Sequence, residues 1–248
     1  MVSGAPGKDE VSPEVIVADA SALARALLDR LSAAMGEAAS ARIPLSMALP
    51  GGSAAEVLLP ALAQAPLDWT RWDFFWSDER AVAPDHPDSN YGLAQRLFLG
   101  PIAVDPGRVH RMKAEDPDLE AAADAYEAEL LSALGDPPIL DFVLMGMGPD
   151  GHVCSLFPGH RALGEETRRV LAISDSPKPP PRRVTLSMPA LEAAKVVCVA
   201  AFGEGKAEAL RAALQDPGST LPVARVARDA RRVLFLLDPA AAGRLSGI

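Results

Sequence analysis

The stretch that most constrains this chain is Ile139 to His160, ILDFVLMGMGPDGHVCSLFPGH. Its first part, Ile139 to Met145, is short and apolar, carries aromatic and β-branched residues, and is bounded by Pro137-Pro138 and Gly146, so it reads as a buried strand and not a helix. A glycine-rich bend comes next, carrying one acid and one imidazole, Asp150 and His152, and closing at Pro158-Gly159. Ligands of open α/β sheets sit just beyond the carboxyl ends of such strands, so a site is expected after Met145.

Gly146-Met147-Gly148-Pro149-Asp150-Gly151 also satisfies G-x-G-x-x-G, with Asp175 at about the distance of a ribose-binding acid. That fingerprint needs an uninterrupted helix facing the pyrophosphate. Only a short segment separates Gly151 from Pro158-Gly159, so a dinucleotide site is set aside and no cofactor is expected.

Around this stretch strands and helices alternate. Val15 to Val17 reads as a strand, and Ala20 to Ala39 as an amphipathic helix with Leu23, Leu27, Leu28 and Leu31 on one face. Ile43 to Leu49 is a strand that empties into Pro50-Gly51-Gly52-Ser53. Ser53 and Glu56 match a capping box, placing a helix from Ser53 to about Ala65. A Gly-Gly-Ser turn at a helix N-terminus suits a phosphate, although a plain tight turn has the same spelling. Trp72 to Ser77 is a strand ending in Asp78-Glu79-Arg80, which is either a solvated corner or part of a ligand-binding edge.

A short helix is expected over Asn90 to Leu99, and a longer one opened by Asp116-Pro117 and closed at Gly135. Val170 to Ser174 is the next strand, and SPKPPPRR reads as a stiff, extended surface connection delivering Arg182 and Arg183, with Arg182 solvated. Further strands are expected at Val184 to Ser187 and Lys195 to Phe202. Lys206 then heads a helix running to about Leu214, where it opposes the helix dipole and is more at home beside an anion. Arg232 to Asp238 is the last strand and Pro239 to Leu245 a terminal helix. The pattern predicts a single α/β domain over residues 13–248, a Rossmann-like three-layer fold with a mostly parallel sheet and helices on both faces, preceded by a flexible tail over residues 1–12.

Composition narrows the partners. With 24 basic and 33 acidic residues the net charge of −9 disfavours nucleic acid, and an anionic ligand would need a local basic pocket. No apolar run approaches the ~20 residues of a membrane span, and MVSGAPGKDEVSPE lacks the apolar core of a secretory signal. Two cysteines, Cys154 and Cys198, are too few for a disulfide framework, so a cytoplasmic setting is expected. Cys198 reads as core and Cys154 as packed, although Cys154 near His152 also spells a Cys-His nucleophile. His86, His110, His152 and His160 show no paired zinc spacing, and no metal is expected. His86 and His110 read as solvated, and the oligomeric state stays open between monomer and dimer.

The segments LPGGSAAEVL, WSDERAVAPDHPDSNYGLA, DFVLMGMGPDGHVCSLFPGH, RRVTLSMPAL and GEGKAEAL, in this order from about residue 49 to 210, resemble the 6-phosphogluconolactonase family, within a larger group that includes glucosamine-6-phosphate isomerases. The isomerase branch continues after its Asp-Gly-His with Ala-Phe-Asn-Glu-Pro, whereas Cys154-Ser155-Leu156-Phe157-Pro158 stands here, like the lactonases. The resemblance implies hydrolysis of a small molecule, 6-phospho-D-glucono-1,5-lactone, the second step of the oxidative pentose phosphate pathway. His152 would be the base that activates water and Asp150 its orienting carboxylate. The resemblance places Gly51, Gly52, Ser53, Arg183 and Lys206 at the phosphate and Asp78, Arg80 and Asn90 at the sugar. Backbone N–H groups of the glycine bend, Gly148 among them, or Arg80 would meet the oxyanion. Two rival expectations are an isomerase/deaminase of amino-sugar phosphates and a non-catalytic sugar-phosphate sensor.

Overall fold

The computed structural model describes residues 12–38, 44–102 and 104–247. The expected tail lies outside the described residues except for Ser12, as do Ala39 and Ile43 at the edges of two expected elements. Strand β1 (Glu14–Val17) leads into helix α1 (Ala20–Glu37), β2 (Leu45–Leu49) into α2 (Gly52–Ala63), and β3 (Trp72–Trp76) into the short β4 (Asp78–Arg80) and α3 (Asn90–Ala94). Helix α4 (Leu119–Leu134) precedes β5 (Phe142–Gly146), with β6 (Val170–Ile173) and β7 (Arg183–Leu186) after it. Helix α5 (Met188–Ala193), β8 (Val196–Ala201), α6 (Ala207–Gln215), α7 (Pro222–Asp229) and β9 (Val233–Leu237) complete the order.

Six apolar runs pair into one parallel sheet, in the order β1-β9-β8-β5-β2-β3. Every residue of β2 and β9 is buried, as expected for strands covered on both faces; α2 packs on β5 and β8, and α1, α6 and α7 each bury one face in the core. Aromatic rings fill the end beside β3, where Trp69 meets Phe98 edge-on at 4.9 Å. From β2 the chain moves outward to β3, then returns to place β5 on the other side of β2. Strand order reverses between β2 and β5, and crevices form at such points. Met47 lies opposite Phe142, so the turns beyond these two strands emerge side by side.

β5 starts at Phe142, later than its apolar run. Asp141 turns its carboxylate onto Ser46, whose N–H and Oγ both donate to Oδ2 at 2.8 Å. A larger departure is the second sheet. β6 and β7 do not join the parallel sheet; they form an antiparallel ladder with β4 in the order β4-β7-β6. The link over residues 174–182 is shorter than the ~12 residues a parallel crossover needs, so these strands can only fold back on each other.

Helix ends also differ from expectation. Asp118, not Asp116, caps α4 by accepting from Ala121 N–H at 3.1 Å, while Asp116 accepts from Asp118 N–H. Gly135 closes that helix with φ +86°, a conformation glycine adopts without strain. Pro239 to Leu245 forms turns in place of a helix. Asp238 spends its carboxylate on Gly203 N–H and Ala241 N–H, which holds the chain in a bend. His110 is not solvated: its ring stacks on Phe75 at 4.5 Å, and Nδ1 lies 2.8 Å from Glu129.

Candidate active site

At the reversal point the turn after β2, the bend after β5, strand β4, the link from β6 to β7 and the turn before α6 enclose a cleft of about 320 Å³. Gly51, Gly52, Ser53, Asp78, Arg80, Gly148, His152, Arg183 and Lys206 all line it. Asp150 and Asn90 stand directly behind these residues, Asp150 on His152 and Asn90 on Asp78.

The bend after β5 is a tight reversal. Met147 bridges Val153, Gly148 N–H donates to His152 O at 2.8 Å, and Gly151 N–H to Gly148 O at 3.0 Å. No helix starts there, so the G-x-G-x-x-G spacing has no helix N-terminus to offer a pyrophosphate. The reversal brings His152 Nδ1 to 2.5 Å from Asp150 Oδ1. Among the described residues Nε2 has no hydrogen-bond partner. The ring rests on Phe157, centroids 4.6 Å apart. Burial pushes the imidazole below its ordinary value, against the pull of Asp150. Desolvation pushes the Asp150 carboxyl up, but His152 and Lys178 outweigh it and hold it at about 2.

Gly148 is the steric condition for this pair. A Cβ there would lie 2.0 Å from His152 Nδ1 and 2.3 Å from Asp150 Oδ1. Gly148→Ala is therefore expected to displace the imidazole and lower kcat for the site's reaction by ~10²-fold, the scale of a ~1 Å misplacement. Circular dichroism should show an intact fold; a variant with wild-type kcat refutes this reading of Gly148.

Opposite the imidazole lies the head of α2. The helix starts at Gly52, capped by the Gly51 backbone, and Ser53 is exposed within its first turn and makes no capping bond. The capping-box expectation therefore fails: the N-cap falls at Gly51, which leaves Ser53 inside the first turn and not at the cap. The helix head is left without a side-chain acceptor. Gly51 packs so closely that a Cβ would sit 1.9 Å from Asn90 Oδ1. Lys206 stands at the N-cap of α6, and burial pushes its ammonium down, Lys178 adding to the shift and Asp150 opposing it.

The second sheet supplies the other wall. Asp78 accepts from Ser155 Oγ at 2.7 Å and from Asn90 Nδ2 at 3.1 Å. Arg80 donates to Asp88 O at 2.9 Å, while its buried Nε has no partner among the described residues. Arg183 is 5% exposed at its side chain and donates to Pro180 O, Lys178 O and Pro179 O at 3.0–3.1 Å, with Asp78 3.9 Å away. The residues before it therefore form no extended surface connection: Arg183 gathers their carbonyls, and Ser176 N–H donates to Pro181 O. Arg182 points outward and donates to Pro117 O.

Cys154 has a positive φ of 51° and a buried thiol pushed well above its ordinary value, first by desolvation and then by Asp78. A protonated thiol does not act as a nucleophile. Cys198 is buried in β8. Among the described residues no three His, Cys, Asp or Glu side chains are placed to hold a metal ion, and no helix is long and apolar enough to cross a membrane.

Two residues at the site escape sequence reading. Lys178 brings its ammonium to 3.1 Å from Asp150 Oδ1, and its only signal was a lone cation among prolines. Glu79, spelled as part of a charge run, is 3% exposed and accepts hydrogen bonds from Arg80, Ser89, Asn90 and Tyr91.

A parallel α/β fold with helix heads and cations converging on a switch-point cleft makes a site suited to a small anionic ligand, and the chain belongs to the family described as glucosamine-6-phosphate isomerases/6-phosphogluconolactonase, whose model matches residues 18–235. Relatives similar to it within that family include lactonases. It is 41% identical to the 6-phosphogluconolactonase of Streptomyces coelicolor, over 94% of this chain and 95% of that protein. It is 42% identical to that of Mycobacterium tuberculosis, over 93% and 97%. The solved 6-phosphogluconolactonase from Trypanosoma brucei shares the fold with a TM-score of 0.83 at 31% identity, covering 94% of this chain and 99% of that one.

Proposed function

We propose that this protein hydrolyses 6-phospho-D-glucono-1,5-lactone to 6-phosphogluconate, the second step of the oxidative pentose phosphate pathway, with His152 as general base. The observation that carries the reading is the imidazole in the cleft: Nδ1 is committed to Asp150, and Nε2 has no partner among the described residues. Nε2 takes a proton from water, and the hydroxide adds to the lactone carbonyl. As the ring C–O bond breaks, the imidazolium returns the proton to the leaving alkoxide, while Asp150 steadies the cation. The Arg80 guanidinium, which lines the cleft, meets the oxyanion, because the Gly148 and Gly151 N–H groups of the bend already donate to His152 O and Gly148 O. The phosphate goes to the head of α2 and to Lys206, where free N–H groups and a cation counter its charge. Asp78 and Arg80 face the sugar, with Asn90 behind Asp78 holding its carboxylate. The segment Cys154 to Pro158 contains no carboxylate for ring opening of an amino sugar, so the isomerase reading has no counterpart to its glutamate.

The test is lactone hydrolysis with substrate generated in situ and the spontaneous rate subtracted. Acceleration over the blank is expected. A rate equal to the blank, together with tight 6-phosphogluconate binding, would instead identify a sensor, and ammonia release from glucosamine 6-phosphate would identify a deaminase.

The pH profile carries its own expectation. Only neutral His152 accepts a proton, so kcat/KM falls as pH drops through its pKa. Burial lowers that pKa, so the acid limb should lie below the ~6.5 of a free imidazole, with activity level near pH 7. An acid limb centred above pH 7 contradicts this assignment.

A further inference from the structure

The link between β6 and β7 holds its backbone tightly around Lys178. Ser176 Oγ donates to Lys178 O at 2.9 Å and accepts from Lys178 N–H at 3.2 Å, and Arg183 Nη2 donates to the same carbonyl. The side chain crosses to the bend after β5, with Nζ 3.1 Å from Asp150 Oδ1 and 3.2 Å from His152 Nδ1. One carboxylate oxygen therefore serves two donors.

We propose that Lys178 is a positioning residue of the hydrolysis, its ammonium holding the Asp150–His152 pair in the form where His152 is neutral, Nδ1–H points at Asp150 and Nε2 is open to water. The inference rests on the reading of His152 as base. At 2.5 Å, Nδ1 and Oδ1 must share a proton, since two lone pairs would repel at that distance. The ammonium has no lone pair and cannot accept that proton. It therefore donates to Asp150 and stands as a like charge beside any imidazolium. An aspartate alone would draw a proton onto the ring; a cation against both partners offsets that pull.

The other charges around the ring act more weakly on it. Asp78 on β4 favours the imidazolium. Arg183 on β7 lies over Phe157 at 5.7 Å, and Lys206 and Arg80 line the cleft. None of these cations touches the pair. Lys178 is 37% exposed at its side chain, so water screens its field and its influence is about one pH unit rather than several.

The test is a histidine-ring NMR titration of the free protein, with the His152 signal identified by its loss in His152→Gln, in parallel with the pH profile of kcat/KM. Lys178→Met should raise the His152 midpoint by ~0.5–1 pH unit and move the acid limb with it. Lys178→Arg should restore most of the shift. Lys178→Gln, which keeps a polar tip at this half-exposed position, must show the same rise as the methionine variant. An unmoved midpoint overturns the proposal whatever happens to the rate, and hydrolysis by the wild type would still stand. Full activity in His152→Gln would also overturn it, by placing the base elsewhere, even with the titration shift intact.

Discussion

His152→Gln is expected to lower kcat for 6-phosphogluconolactone hydrolysis by about 10²- to 10⁴-fold, the usual contribution of a positioned general base. The amide is close in size to the imidazole, so Phe157 keeps a neighbour and the bend after β5 keeps its backbone bonds. What disappears is a group that can take a proton from water and return it to the alkoxide. Asp150 retains Lys178 as a partner, so no carboxylate is stranded. Binding of 6-phosphogluconate should therefore change only a few-fold, because the proposed phosphate site at α2 and Lys206 is untouched. Background-corrected progress curves and calorimetric titration of the product separate these two quantities. A drop in kcat of less than ~10-fold would remove His152 from the base role.

Glu79→Ala should have the largest effect on stability, ~3–5 kcal/mol. Oε1 accepts from Arg80 N–H at 2.7 Å and Asn90 N–H at 2.8 Å, and Oε2 from Tyr91 N–H at 2.7 Å and Ser89 Oγ at 3.0 Å. Three backbone donors and one hydroxyl would lose their acceptor in a buried setting, where each unsatisfied group costs about 1–3 kcal/mol before relaxation. Burial pushes the Glu79 carboxyl up, and these four bonds oppose that shift. Glu79→Gln should cost less, since its amide oxygen keeps some of the donors satisfied, but its NH₂ would then face a donor. Urea unfolding with an unchanged slope measures both variants; a loss under ~1 kcal/mol for alanine would show that water or a rearranged loop replaces the carboxylate.

The parts of the site that could be read in the sequence are those built from neighbours along the chain. Asp150 and His152 are two residues apart on a bend that Gly148 and Gly151 force, so their meeting needs no knowledge of the fold. The parallel sheet could be read from apolar runs such as Val196 to Ala201, because burial on both faces leaves no polar positions. Lys178 could not be read this way. Its role depends on a hairpin that carries residue 178 back to residue 150, and proline composition alone suggests a linker. Glu79 was ambiguous for the same reason: a charge run is solvated unless its strand pairs inward, and β4 pairs with a strand about a hundred residues later. Local signals also misled where a long-range partner claimed the side chain. Pro239 to Leu245 reads as a helix, yet the Asp238 carboxylate just before it holds the turn at Gly203 and bonds Ala241 N–H, which bends the chain. The missed helix α7 did carry a signal, a first-turn proline ahead of Val223, Val226 and Ala227 on one buried face.

The seam between the two sheets has a consequence for how such a site can diversify. The turns of the parallel sheet carry the imidazole and Lys206, while the small antiparallel sheet and its link carry Asp78, Arg80, Lys178 and Arg183. On the proposed reading, the base and the phosphate cradle share the first support and the sugar-facing groups stand on the second. If that reading holds, loop changes on the small sheet would alter which part of the ring is gripped without unseating the proposed base. A ligand lying across the seam would also tie the two supports together, so occupancy would stiffen the boundary between the two sheets.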